Sequence, residues 1–223
     1  RDLRMSRGLG DVYKRQIVDL CNENNMSFWQ VILRADASER MAAEDASFAT
    51  MRDMYRAMKR ADAEYDKTLK SPSGLSGGDG EKMRKYNKDG KNLCGPFMGL
   101  AMEKAIKMGE SNACMKRIVA APTAGSCGVI PAVFLAYEEC FNVPEDKMVK
   151  AMFVSAGVGA VIAENASIAG ASGGCQAEIG SASAMAAAGL AYLEGGDAEC
   201  ISHAMAFALK NMLGLTCDPV SYT

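Results

Sequence analysis

The feature that most constrains the fold of this chain is a run of small residues over 167–188, with the sequence SIAGASGGCQAEIGSASAMAAA. The pattern predicts a helix over 176–193 that is so rich in Ala, Ser and Gly that neighbouring helices can approach its backbone closely. This helix and another predicted over 146–163 are apolar on nearly every face, which is typical of helices at the centre of a bundle. We therefore expect the chain to pack around these two helices.

The segment between the two central helices is polar. It carries Asn165, Ser167, Ser172 and Cys175, and polar loops held by buried helices often carry binding sites. Asn165 and Ser167 are candidates for polar contacts there. We therefore expect a functional site in this loop.

Helical periodicity continues elsewhere in the chain. Phe48, Met51, Tyr55 and Met58 stand at spacings of three and four, and they form the apolar stripe of a long helix that Ser38 could cap. Further helices are predicted over 17–34 (with a break near residue 25), 81–87, 93–108, 129–140 and 197–213. Strand-type alternation is weak, and the sequence has no hairpin signal or internal repeat. The pattern predicts an all-α fold, a compact bundle of helices around the small-residue-rich central helices.

Composition narrows the classes of function. The 223 residues include 25 Lys and Arg against 27 Asp and Glu, a net charge of −2. This balance argues against a nucleic-acid partner and against electrostatic binding to a membrane surface. The longest apolar run, over 151–163, is shorter than the roughly 20 residues that span a bilayer. With no secretory feature visible, we expect a cytoplasmic protein whose cysteines stay reduced.

Two of the eight cysteines lie at the ends of predicted elements that are marked by glycine. Cys175 follows the glycines of the small-residue run, and Cys217 lies in the segment LGLTCDP. The chain contains no CxxC pair, which argues against a zinc ribbon and a thioredoxin-type motif. Distant cysteines at element ends suggest ligands that folding brings together. Taken alone, the residues favour two buried thiols, because buried cysteine is common.

A second candidate site is the loop APTAGSCGVIP. Proline is tolerated in the first turn of a helix, so Pro131 predicts a helix that begins close to Gly128. Free backbone N–H groups at this helix start, together with Thr123, Gly125 and Ser126, could bind a carboxylate. A loop that only connects two helices is the alternative.

Several motifs together resemble one family. They are SGLSGGDG at 73–80, RIVAAPTAGSCGVIPAV at 117–133, the run at 167–188 and ALKNMLGLTCDPV at 208–220. They closely resemble, in order, the α subunit of the iron–sulfur-dependent L-serine dehydratases (L-serine ammonia-lyases). The resemblance runs from about residue 17 to residue 220.

The resemblance implies a reaction and a cofactor. Members of this family convert L-serine to pyruvate and ammonia by β-elimination of water, and the open iron of a [4Fe–4S] cluster acts as a Lewis acid on the serine hydroxyl. It implies that Cys175 and Cys217 are cluster ligands and that Cys127 packs behind its loop. The family's third cluster cysteine lies beyond the CDPV segment, and this chain has no match to it.

The resemblance also implies contacts with L-serine. Its carboxylate is a natural occupant of the site formed by Thr123, Gly125 and Ser126, and Ser73 and Asp79 could help to shape the substrate pocket. A flexible linker is the alternative for residues 73–80, which lack the Gly-Lys-Ser/Thr of a phosphate loop. Polar contacts near the cluster are expected from Asn165 and Ser167. The catalytic base is left unassigned.

The resemblance further implies a β subunit, because the family has a second domain, fused or separate, that nothing here matches. We expect residues 1–16, RDLRMSRGLGDVYKRQ, and residues 221–223 to be non-native tails around a serine dehydratase α-type domain over 17–220 that lacks its C-terminal end. The complete enzyme is expected to be an oligomer.

Three alternatives remain open from the residues. One is a helical subunit or fragment without chemistry, and another is a pyridoxal phosphate-dependent lyase, although no lysine matches the Schiff-base role. An electron-transfer iron–sulfur protein would need four ligands, which the cysteine spacing does not provide. His203 is the sole histidine and lies on a polar helix face, so a serine-hydrolase triad is not supported.

Overall fold

The computed structural model describes residues 14–214, with side chains from residue 17 onward. Within this part of the chain there are ten helices and no strand. They are α1 (Lys14–Asn24), α2 (Phe28–Glu39), α3 (Glu44–Ala63), α4 (Asp79–Lys88), α5 (Gly95–Ala113), α6 (Val129–Phe141), α7 (Glu145–Asn165), α8 (Gly170–Gly173), α9 (Cys175–Leu193) and α10 (Ala198–Met212). The predicted all-α fold is confirmed.

The chain forms two compact units. The first contains the described parts of Arg1–Phe48 and Ala151–Thr223, and the second is Ala49–Lys150. In the first unit, α9 packs against α10 and α8, and α1 packs against α2 and α10. In the second unit, α5 packs against α4 and α6.

Small residues let the helices of the first unit approach closely, as their sequence predicts. Ala182 on α9 is fully buried. The Ser155 hydroxyl on α7 donates a 2.7 Å hydrogen bond to the Met185 carbonyl oxygen on α9. A Cβ added at Gly157 would lie only 2.6 Å from the Ile32 side chain on α2. Both predicted central helices are therefore core helices of this unit, where a larger side chain at these positions would displace a neighbour.

Helix α7 also satisfies a test for membrane-spanning helices. It is the one described helix that is long and apolar enough to cross a bilayer by length and composition, but 67% of its apolar window is buried inside the structure. Burial of that extent is typical of the core helix of a globular protein. It agrees with the prediction that the helix over 146–163 lies at the centre of a bundle.

The predicted cap of α3 is wrong. Ser38 lies inside α2, which runs on to Glu39 and is closed by an ion pair between Arg40 and Asp36 at 2.8 Å. The chain then turns at Met41, whose φ of +51° is left-handed, and α3 begins only at Glu44. A capping box at Ser27 and Gln30 starts α2 early enough for it to continue through Ser38.

Helix ends elsewhere follow the expected local chemistry. Asp197 caps α10 by accepting a 2.8 Å hydrogen bond from the Cys200 backbone N–H. Gly214 has a φ of +82° just after α10, in the left-handed region that glycine favours. Helix α6 begins at Val129, so Pro131 lies in its first turn as predicted.

Candidate functional site

The residues predicted for the site lie in both units of the fold. The first unit holds Asn165, Ser167 and Cys175, and the second holds Ser73, Asp79, Thr123, Gly125 and Ser126. Cys217 lies outside the described residues.

Cys175 is the first residue of α9 and is half-buried. Gly174 precedes it with a φ of +77°, a conformation that makes the sharp turn from α8 into α9 possible. The N-terminus of a helix carries a partial positive charge, which favours the thiolate form of a cysteine. The position therefore suits a thiolate ligand.

The loop before Cys175 is held together by serine hydroxyls and by close contacts at glycines. The hydroxyl oxygens of Ser167 and Ser172 lie 2.5 Å apart, and Ser167 Oγ accepts from the Ala169 N–H at 3.2 Å. A Cβ added at Gly170 would lie 2.8 Å from the Glu178 carboxylate. Ser167 is thus tied into the loop that precedes the thiol.

Asn165 ends α7, and its side-chain amide donates back to the Val161 carbonyl oxygen at 2.7 Å. It also lines a cavity of about 980 Å³ between α1, α7 and α10. Half of the residues that line it are polar, among them the exposed His203, and Cys175 does not line it. At this volume the cavity is much larger than a pocket that would enclose serine alone.

In the second unit, the loop before α6 is closed by Ser126. Its buried hydroxyl oxygen lies 3.2 Å from the Thr123 hydroxyl and accepts from the Thr123 N–H at 3.3 Å. Asn112 on α5 donates to the Ala124 carbonyl oxygen at 3.1 Å, while Gly125 is exposed at the tip. Ser126 therefore positions Thr123, and Thr123 and Gly125 are the members of this set that solvent can reach.

Cys127 packs behind this loop, as the resemblance implies. It is 1% exposed and contacts Ala61 and Met108 in a small apolar cluster. Burial raises the pKa of the Cys127 thiol to about 11. A thiol in such surroundings is protonated at neutral pH and does not suit a metal ligand.

Residues 73–80 form a structured turn rather than a featureless linker. At its base, the Ser71 N–H donates to the Ser76 carbonyl oxygen at 2.9 Å, and the Ser76 N–H donates to Ser71 Oγ at 3.1 Å. Lys70 Nζ donates to the Gly77 carbonyl oxygen. Ser73 is exposed at the tip of the turn.

Asp79 is the first residue of α4 and forms an exposed ion pair with Lys82 at 2.6 Å. The hydrogen bond from Lys82 lowers the pKa of the Asp79 carboxyl. Asp79 is therefore ionised at neutral pH. The ionised carboxylate suits recognition of a cationic group, and its lowered pKa makes it a weaker base than an ordinary aspartate.

Glu110, a buried residue on α5, was missed at the level of sequence. Its Oε1 accepts from the Asp79 N–H at 2.7 Å, and its Oε2 accepts from the Gly80 N–H at 3.1 Å and from the Tyr65 hydroxyl at 2.5 Å. Burial raises the pKa of Glu110, but these hydrogen bonds outweigh it and lower the pKa below its usual value. The predicted helix ended at residue 108, so Glu110 lay outside any recognised element.

Replacing Gly77 with alanine is expected to lower the free energy of unfolding by about 3 kcal/mol. Gly77 has a φ of +131°, and an added Cβ would collide with the Leu69 carbonyl oxygen. Urea denaturation measures the loss. Gly74→Ala is the matched control, because Gly74 has a φ of +74° with no atom near its Cβ position. We expect a loss of about 1 kcal/mol there; equal losses for the two variants would contradict this account.

Across residues 14–214, no three His, Cys, Asp or Glu side chains come together in a way that could hold a metal ion. In this part of the chain Cys175 is thus one thiol without a preformed set of ligands around it.

Comparisons with known proteins agree on one family. A family model described as "Serine dehydratase alpha chain" matches residues 23–223. A "Probable L-serine dehydratase, alpha chain" from Bacillus subtilis is 39% identical over 207 residues, which cover 93% of this chain and 69% of that protein. The "L-serine dehydratase, alpha chain" of Peptoniphilus asaccharolyticus is 38% identical over 209 residues, 93% of this chain and 71% of that protein. "L-serine dehydratase 1" of Escherichia coli is 45% identical over 118 residues, 52% of this chain and 26% of that protein.

Proposed function

Because the chain belongs to the serine dehydratase alpha chain family, we propose that it is the α chain of an L-serine dehydratase. Such an enzyme is a lyase that eliminates water from L-serine, and the product hydrolyses to pyruvate and ammonia. The observation that carries this proposal is the match of the family model to residues 23–223. The Cys175 thiol at the start of α9 supports the proposal, because it is a candidate ligand for the family's cluster.

We propose that a [4Fe–4S] cluster is bound through Cys175 and Cys217. A half-buried thiol at the positive end of a helix, next to the small residues of α8, is a fitting donor for a thiolate-held cluster. When bound, the cluster would supply a Lewis-acidic iron for the serine hydroxyl. The third protein ligand is left open.

The chain's own residues are proposed to bind and orient the substrate. Thr123 and Gly125 stand at the solvent-facing side of the loop before α6, where Ser126 holds the Thr123 hydroxyl in place. The carboxylate of L-serine suits these donors. In the first unit, Asn165 and Ser167 lie close in sequence to Cys175, and they are proposed to make polar contacts with the substrate. Ser73 and Asp79 are proposed to contact the substrate from their turn.

A β chain is proposed as the partner that completes the active site. The relatives from Bacillus subtilis and Peptoniphilus asaccharolyticus are each named as an alpha chain. A β chain could also contribute the catalytic base, which we assign to none of the described residues of this chain. We propose a cytoplasmic oligomer of α and β chains.

The test is pyruvate formation from L-serine by the chain produced anaerobically together with its β chain. We expect activity with L-serine, little or none with D-serine, and loss of activity in air, because an open iron site loses iron to oxygen. Stable activity after aerobic handling would contradict the iron–sulfur part of the proposal. An aldimine absorption band that disappears when one lysine is replaced would favour a pyridoxal phosphate lyase.

A further inference from the structure

The turn over residues 73–80 ends at the N-terminus of α4, where backbone N–H groups usually remain open. The first four N–H groups of a helix have no partner within the helix, and together with the helix dipole they attract anions. In this protein the position is already filled. The Glu110 carboxylate accepts from the N–H groups of Asp79 and Gly80. This helix start is therefore closed to a substrate carboxylate.

The same carboxylate also connects the turn to two other helices. Glu110 lies on α5 and is 5% exposed. It accepts a 2.5 Å hydrogen bond from the Tyr65 hydroxyl, just beyond the end of α3. Both of its oxygens are used, and each partner donates a proton, so only the ionised carboxylate can accept all three bonds without loss.

The space around Gly80 fits this arrangement. A Cβ added there would lie 2.7 Å from the Lys107 side chain and 3.1 Å from the Tyr65 hydroxyl oxygen. The base of the turn is thus close-packed. Its tip is open, since Leu75 is 82% exposed and Ser73 is also exposed.

We propose that Glu110 is a positioning residue of the serine dehydratase reaction, holding the turn over residues 73–80 so that Ser73 and Asp79 meet the substrate in a fixed geometry. This inference rests on the proposed function. Glu110 does not contact the substrate itself. It acts through the backbone of Asp79 and Gly80, which its carboxylate pins to α5.

Glu110→Gln is the informative variant. Glutamine keeps the shape of the side chain but replaces one acceptor oxygen with an NH₂ donor. Whichever way the amide turns, a donor then faces the part-buried Asp79 N–H or the buried Gly80 N–H, and that N–H loses its partner. Tyr65→Phe is a milder variant, because it removes one bond to Glu110 and leaves both backbone bonds in place.

The control is Glu138→Gln, in the same unit. Glu138 forms a comparable charged hydrogen bond, with Lys59 at 2.9 Å, and lies on α6 away from the turn in sequence. Any general effect of removing a carboxylate should appear in both Gln variants. An effect on the turn should appear only in Glu110→Gln.

Two measurements test the proposal. Hydrogen exchange in the full chain is expected to be about tenfold faster or more at the amides of Asp79 and Gly80 in Glu110→Gln, and unchanged in Glu138→Gln. In the enzyme assembled with its β chain, Glu110→Gln is expected to raise KM for L-serine about tenfold with kcat within about threefold of the wild type. Tyr65→Phe should raise the exchange rates at Asp79 and Gly80 and the KM for L-serine as well, but by smaller factors.

The proposal is overturned if Glu110→Gln matches Glu138→Gln in both exchange and KM, or if kcat alone falls. If Glu110→Gln does not fold, Tyr65→Phe decides by the same two readouts. If the wild-type enzyme forms no pyruvate from L-serine, the proposed function itself is wrong. Exchange at Asp79 and Gly80 then still decides whether Glu110 holds the turn.

Discussion

Replacing Cys175 with alanine is expected to remove bound iron and to lower the rate of pyruvate formation by at least about 100-fold. Alanine offers no thiolate to a metal. Because Cys175 is the first, half-buried residue of α9 and alanine is a strong helix former, the fold should persist. Iron analysis and the pyruvate assay measure the two effects, and far-ultraviolet circular dichroism verifies that the helices remain.

Cys200→Ala is the matched control for this change. Cys200 also lies in the first turn of a helix, α10, and its side chain is exposed. It stands outside the motifs that resemble the family, so its loss should leave iron content and activity unchanged. If Cys175→Ala retains iron and activity at the level of Cys200→Ala, the assignment of Cys175 as a ligand is wrong.

Replacing Lys104 with methionine is expected to lower the free energy of unfolding by about 3–5 kcal/mol. Lys104 is only 8% exposed in its side chain and bonds Asp62 at 2.8 Å and Glu139 at 3.1 Å. Burial lowers the pKa of Lys104, but the two carboxylates outweigh it and raise the pKa, which holds the ammonium charged. Without this cation, the mostly buried Asp62 carboxylate loses its charged partner, and its Oδ1 already has no hydrogen-bond partner. Urea denaturation measures the loss.

Two further variants test the cause of that loss. Lys59→Met removes a more exposed pair, with Glu138, and should cost less than about 1 kcal/mol because solvent screens it. Adding Asp62→Leu to Lys104→Met should restore much of the stability, since no buried charge would then lack its partner. Equal losses in Lys104→Met and Lys59→Met would contradict the account.

The pH dependence of stability follows from the raised pKa of Lys104. A group whose pKa is higher in the folded state stabilises the fold fully below its unfolded pKa of about 10.4, and this contribution is lost as the pH rises through the folded pKa. The wild type is therefore expected to lose stability above about pH 10 more steeply than Lys104→Met. Denaturation midpoints across this range provide the measurement.

The parts of the fold that depend on local pattern could be predicted from the sequence. The small-residue composition of α9 and the apolar faces of α7 predicted two core helices, and the described burial confirms both. Pro131 likewise predicted the start of α6. Such signals succeed because the residue that sets the structure lies within a few positions of its effect.

The parts that depend on distant contacts could not be predicted in this way. Asp62 on α3 bonds Lys104, 42 residues away in sequence, and no local pattern predicts this contact. Glu110 reaches back about 30 residues to the start of α4. The predicted cap at Ser38 was wrong for a local reason. Ser38 lies inside α2, which starts at the Ser27 cap and runs to Glu39, so Ser38 cannot start the next helix. The proposed second cluster ligand, Cys217, is also distant from Cys175 in sequence, and only the resemblance to the family indicated its role.

The central claim is that Cys175 helps to bind a catalytic iron–sulfur cluster. The most direct test is iron and sulfide content, with the visible absorption spectrum, after strictly anaerobic reconstitution of the chain with its β chain. The account predicts about four irons and four sulfides per α chain, and a spectrum that changes on addition of L-serine. Iron no higher than in Cys175→Ala, with a spectrum unaffected by L-serine, would contradict it.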